Sequence, residues 1–202
     1  MPKYEGELKE YNTIERIVKH KKVKFLDNNI LAYDDHMKVF QWLLDHPEIK
    51  CEFNQGLDFR LVTDENLDAL SKLNYMGEYI FAFDEPKYQP LLEKNLVLIK
   101  KYIPTPWKIK FYIYYHPKMS IKQLIERVEW CRKKECLPYV MRDIACWDIE
   151  KPIKNFLIDY AAYCNQPGFF KKMTFSQFTK KRYRNIERIK ESLRIFEENK
   201  PC

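Results

Sequence analysis

Five short apolar runs recur along the chain at a nearly constant interval, and each ends in polar residues. They begin at Val23, Cys51, Tyr79, Ile109 and Leu137, so the steps are 28, 28, 30 and 28 residues. Each gap holds one segment with helical periodicity. A unit of roughly 30 residues that alternates strand and helix has the size of a βαβ crossover, so the strands are expected to run parallel. In such sheets ligands gather at the carboxyl ends of the strands. Those ends carry Asp27, Asn54, Asp84, His116 and Asp143.

The expected fold class is α/β: a partial TIM-type (β/α) barrel over residues 1–148 with about five parallel strands. A C-terminal helical extension over 149–202 packs on the same domain. Residues 1–12 read as a polar arm and Thr13–His20 as a short helix. Further helices are expected at 33–45, from Thr63, at 87–103, at 120–135, at 151–165 and at 174–199. Met37, Phe40, Leu43 and Leu44 give the second helix an apolar face. Leu67, Leu70 and Leu73 stripe the third, and Leu91, Leu92, Leu96 and Ile99 are expected inward on the fourth. Thr63, Ser120 and Thr174 are placed as N-caps, the last two as capping boxes with Gln123 and Gln177. Five parallel strands do not close a barrel, so a strand is expected to be missing beside Val23–Leu26.

Composition narrows the function. With four glycines the chain has no Gly-rich phosphate loop. The six cysteines lie at 51, 131, 136, 146, 164 and 202, with no CxxC pair or zinc spacing, so thiols filling a core are expected. No apolar run approaches a membrane span and no signal-peptide pattern opens the chain, so a cytoplasmic location is expected. The net charge of +7 is compatible with nucleic acid. Its longest cluster, Lys171-Lys172 then Lys180-Lys181-Arg182-Tyr183-Arg184, also fits a solvated helix face.

At the strand ends, acids can hold hydroxyls or amines, and Arg60 or Arg142 can grip a carboxylate through a bidentate fork. His116 can exchange protons near neutral pH, or simply make a turn before Pro117. Asn and Asp also cap the backbone at strand-to-helix turns. Five such ends together favour a ligand site.

Several stretches resemble the radical S-adenosylmethionine enzymes. Val23-Lys24-Phe25-Leu26-Asp27-Asn28-Asn29-Ile30 is similar to their FxDDxF stretch. Asn54 to Arg60 followed by Leu61-Val62-Thr63-Asp64-Glu65 is similar to their next strand and the run after it. Phe83-Asp84-Glu85-Pro86 stands where many members have Gly-Ile-Glu-Ser. The likeness covers roughly residues 1–145. It implies a partial barrel, S-adenosylmethionine as cosubstrate and a radical passed to an unknown substrate. It places Asp27, Asn28 and Asn29 near the methionine end, Asp84 at the ribose hydroxyls, and Asn54 and Arg60 on the cavity wall. It also implies a [4Fe–4S] cluster held by a Cys-x3-Cys-x2-Cys loop that this chain lacks. The opening residues resemble the stretch just after that loop. The chain is therefore expected to be the C-terminal part of such an enzyme, inactive alone, with the first strand and cluster loop on an upstream segment or a separate chain. Two other readings stay open: an α/β module that binds a ligand or partner without catalysis, and a nucleic-acid-associated protein that uses the basic tail.

Overall fold

A computed structural model describes residues 13–26 and 29–201. The expected polar arm, Asp27, Asn28 and Cys202 lie outside the described residues. The fold is α/β, with five parallel strands in two sheets and helices between them. One sheet pairs β1 (Lys22–Phe25) with β2 (Lys50–Phe53), and the other has the order β3 (Tyr79–Ala82), β4 (Ile109–Tyr115), β5 (Leu137–Arg142). Among the described residues no closed barrel forms. The chain divides into two compact units, Met1–Ile80 with Leu92–Pro104, and Phe81–Leu91 with Thr105–Cys202.

In the first unit, α1 (Ile14–Ile17) leads into β1 (Lys22–Phe25), which pairs with β2 (Lys50–Phe53) in parallel register, Phe25 beside Phe53. Their rings stack at 5.0 Å, and Phe40 of α2 (His36–Asp45) meets Phe53 edge-on at 5.6 Å. The far side of β2 is covered by a single extended segment. Cys51 donates its N–H to the Asn74 carbonyl, and Met76 donates to the Cys51 carbonyl. Gly77 follows at φ +64°, where a β-carbon would come within 3.4 Å of Glu52 Oε1; only glycine takes that turn without strain. The next helix, α3 (Asp64–Lys72), opens on a capping box between Thr63 and Asn66, and its Leu67 and Leu70 are fully buried.

Between β3 and β4 in the sequence runs α4 (Gln89–Tyr102), preceded by a 3-10 turn at Pro86–Tyr88. Its stretch from Leu92 belongs to the first unit. There Leu92, Leu96 and Ile99 are buried, Asn95 donates to the Phe59 carbonyl, and Lys101 and Tyr102 both grip Asp64 at 2.6 Å. Leu91, expected inward, is 41% exposed. It lies 100° around the helix from Leu92, too far to share a narrow apolar stripe.

The second unit holds the end of β3 (Tyr79–Ala82), then β4 (Ile109–Tyr115) and β5 (Leu137–Arg142). Along β4 burial alternates strictly. Ile109, Phe111, Ile113 and Tyr115 are buried, whereas Lys110, Tyr112 and Tyr114 are half-exposed. The buried side lies under α5 (Ile121–Lys133), where Trp130 meets Phe83 and Phe111 at 5.3 and 5.4 Å. Ser120 caps α5 through the Lys122 N–H.

Four helices complete the unit: α6 (Ile153–Cys164), α7 (Pro167–Phe170), α8 (Phe175–Arg182) and α9 (Ile186–Asn199). The single helix expected over 174–199 is two, broken at Tyr183 with Asn185 capping α9. Phe156, Tyr160, Tyr163, Phe170, Phe175 and Phe178 form an aromatic core, so much of the 15% aromatic content is burial. Asn165 closes the edge of β5: its Oδ1 accepts from the Val140 N–H and its Nδ2 donates to the Val140 carbonyl.

Candidate functional site

In the second unit, the carboxyl ends of β3, β4 and β5 surround an open cleft of about 530 Å³. Asp84, Glu85, Pro86, Tyr114, Met119 and Met141 line it. The sheet dictates this lining. Parallel register sets Tyr112 beside Tyr139 and Tyr114 beside Met141, and side chains two apart share a face. The half-exposed face of β4 is thereby continued by Tyr139 and Met141, which are 39% and 37% exposed.

Asp84 is exposed where β3 ends. Its backbone is anchored from beneath by Arg127 of α5, whose Nη1 donates to the carbonyls of Phe83 and Asp84 at 2.9 and 2.8 Å. Arg127 is only 1% exposed; burial pushes its guanidinium down to about 10, and the Asp84 carboxylate counters that shift. It stays charged at neutral pH. The carbonyls of two successive residues are therefore held by one buried cation, and the place where Asp84 leaves the strand is fixed.

Tyr114 donates its hydroxyl to Asp143 Oδ2, while Asp143 Oδ1 accepts from the Ala145 N–H at 2.8 Å. That bond to Asp143, then burial, then the charges of Asp143 and Asp84 push the Tyr114 phenol up to about 12. The same bond, the Ala145 N–H and His116 hold Asp143 below the usual carboxylate range. Tyr114 therefore remains a neutral donor and Asp143 an anion around pH 7. The cleft offers two carboxylates at its rim, a phenol and thioether walls. Such a set binds a partly apolar ligand with hydroxyl donors.

The expected site residues fall into separate groups. Asp27 and Asn28 lie outside the described residues. In the first unit, Asn29 Oδ1 accepts from the Asp58 N–H at 3.3 Å, and Asn54 donates its N–H to the Phe25 carbonyl. Arg60 makes its bidentate fork with Asp58 two residues back, so that fork is occupied within the chain. In the second unit, Asp84 lines the cleft, whereas His116 Nδ1 accepts from the Lys118 N–H at 3.1 Å and makes the turn. Arg142 lies over the Trp147 ring at 5.1 Å. Tyr114, Met119 and Met141 were not foreseen. The signal for Tyr114 was the parity of Lys110, Tyr112 and Tyr114 against Phe111, Ile113 and Tyr115, hidden inside one apolar run.

No group of His, Cys, Asp and Glu among the described residues is placed to hold a metal ion. The described cysteines, at 51, 131, 136, 146 and 164, are all buried. Burial raises the Cys51 thiol to about 12 and holds Cys131 and Cys164 well above their ordinary value. Neutral, dispersed thiols do not fit an iron–sulfur cluster, which requires convergent thiolates. No helix among the described residues is long and apolar enough to cross a membrane. Compared with family models, curated proteins and solved structures, the chain matches none.

Proposed function

We propose that this chain is the cosubstrate-binding part of a radical S-adenosylmethionine enzyme, its five parallel strands read as a partial (β/α) barrel. The observation that carries the reading is the cleft at the ends of β3, β4 and β5, with Asp84 and Glu85 at its rim and Tyr114, Met119 and Met141 as walls. A nucleoside needs both features. Vicinal hydroxyls donate to a carboxylate in charge-assisted bonds, and a flat base is covered by polarisable side chains. A volume of about 530 Å³ lies in the range of small-molecule sites.

In this reading Asp84 accepts from the ribose hydroxyls, Arg127 positions its segment, and Tyr114, its proton given to Asp143 in a hydrogen bond, offers its hydroxyl oxygen as an acceptor. The buried thiols do not fit the cluster that the family uses, so cluster ligation is assigned to polypeptide outside the described residues. What this chain does is bind and orient.

Calorimetric titration of S-adenosylmethionine into the chain tests the assignment. Charge-assisted bonds contribute on the order of 1.5–3 kcal/mol each. Asp84→Ala is therefore expected to weaken binding by roughly tenfold to a hundredfold, at 1.4 kcal/mol per decade. Asp84→Asn, which still accepts, is expected to lose less. Equal affinity in the chain and in Asp84→Ala, or no heat of binding in either, overturns the reading.

A further inference from the structure

One acid-free stretch of the chain is gathered by packed aromatic side chains. From Tyr160 to Ile186 the sequence holds six cations and no Asp or Glu. The six are Lys171, Lys172, Lys180, Lys181, Arg182 and Arg184, and all are exposed. The acids at either end are already engaged. Asp159 is fully buried against Arg188 and Ser192, and Glu187 pairs with Lys190 at 3.2 Å.

The fold gathers these cations. Phe169 of α7 packs on Phe178 of α8 with ring centroids 5.4 Å apart, and Lys181 lies over the Phe169 ring at 5.6 Å. This brings the end of α8 to the end of α7, where Lys171 and Lys172 follow. Arg182 lies over both Phe178 and Tyr183, and Tyr183 also carries Arg188 at 4.6 Å. A helix C-terminus favours cations through its dipole, which accounts for Lys180, Lys181 and Arg182. It does not account for Arg184, which lies beyond α8, and the four-residue α7 has little dipole to hold Lys171 and Lys172 at its end. Packing against the rings also restricts the long side chains, so less freedom is lost when they meet an anion.

From this geometry we propose that the α7–α8 surface binds the sugar–phosphate backbone of a nucleic acid. A row of cations with no interspersed acid matches a row of phosphates, and the release of counterions drives such binding. A membrane surface fits less well: the large apolar residues of α8, Phe175 and Phe178, are buried, and the exposed Ile186 that follows Arg184 is a weak bilayer anchor by itself.

Fluorescence anisotropy of a labelled 20-nucleotide oligothymidine, titrated with the chain at 50 to 200 mM salt, tests the proposal. With about five phosphates neutralised, the single-strand slope is near −3.5, so affinity falls roughly a hundredfold across that range. Lys172→Glu/Lys181→Glu/Arg182→Glu is expected to weaken binding at least tenfold and to flatten the slope by about two. All three side chains are exposed, so the lost ring contacts and the reversed charge at the end of α8 should lower the thermal melt only modestly and leave a folded circular dichroism spectrum. Lys122→Glu/Lys133→Glu/Lys151→Glu removes the same net charge elsewhere and is expected to bind within a few-fold of the parent. Three results overturn the proposal: no binding at 50 mM salt, equal losses in the two triple variants, or tighter binding to phosphatidylserine vesicles than to the oligonucleotide.

Discussion

Tyr114 and Asp143 show how two ordinary residues acquire fixed protonation states. The phenol sits at the end of β4 and the carboxylate just past β5, and parallel register brings the strand ends side by side. Each group stabilises the other's neutral-pH form. Because the folded pKa of Asp143 is depressed, its contribution to stability is present above the ordinary carboxylate range. That contribution is lost as pH falls through the folded value. For Tyr114 the folded value is raised to about 12, so its contribution is present below the ordinary phenol value near 10 and is lost as pH rises toward 12. Tyr114→Phe removes the donor with little change in shape. The Asp143 carboxyl carbon, followed by NMR, is then expected to titrate at higher pH than in the parent. An unchanged titration would mean that the Ala145 N–H and His116 alone depress it.

At the scale of elements, α9 is tied to α6 through one buried carboxylate, beside the packing of Phe196 on Tyr160. Asp159 of α6 is fully buried and accepts from Arg188 Nε and Nη2 and from the Ser192 hydroxyl, both of α9. Arg188 still reaches solvent, with 29% of its side chain exposed. The two partners are therefore unequal. Arg188→Ala strands a buried charge and is expected to cost about 3–5 kcal/mol in urea unfolding. A loss below about 1 kcal/mol would mean that Ser192 and water satisfy the carboxylate. Little of this pair was readable beforehand. Asp159 sits in a helix that looked merely amphipathic, and the break at Tyr183 has neither Gly nor Pro to announce it. Tyr183 leaves the helix in an extended conformation at φ −109°, ψ 146°, and Asn185 restarts it as a cap.

For the molecule as a whole, the strand positions were legible because apolar, aromatic-rich runs recur at a 28- to 30-residue interval, each followed by polar turn residues. The partition into two sheets was not legible, because strand pairing is a long-range choice that local pattern does not encode. Of the site, Asp84 was legible as a strand-end acid, whereas its support by Arg127 was hidden in a helix 43 residues away. The same long-range gap bears on β1. Lys21 and Phe25 give their carbonyls to Lys50 and Asn54, so the period-two alternation turns the N–H and C=O of Lys22 and Lys24 away from β2. Among the described residues no strand pairs on that side. The two lysines weaken edge-to-edge association, yet Lys24 is partly neutralised by Glu52 at 3.0 Å. Light scattering at high concentration is therefore expected to give a mass above the 24.7 kDa of one chain. Lys24→Pro, which removes the outward donor without touching the β1–β2 ladder, is expected to return it toward one chain. In the dilute monomer the Lys24 amide should exchange faster than those of Val23 and Phe25. A monomer at every concentration, with the Lys24 amide as protected as its neighbours, would mean that residues of the same chain already cover this edge.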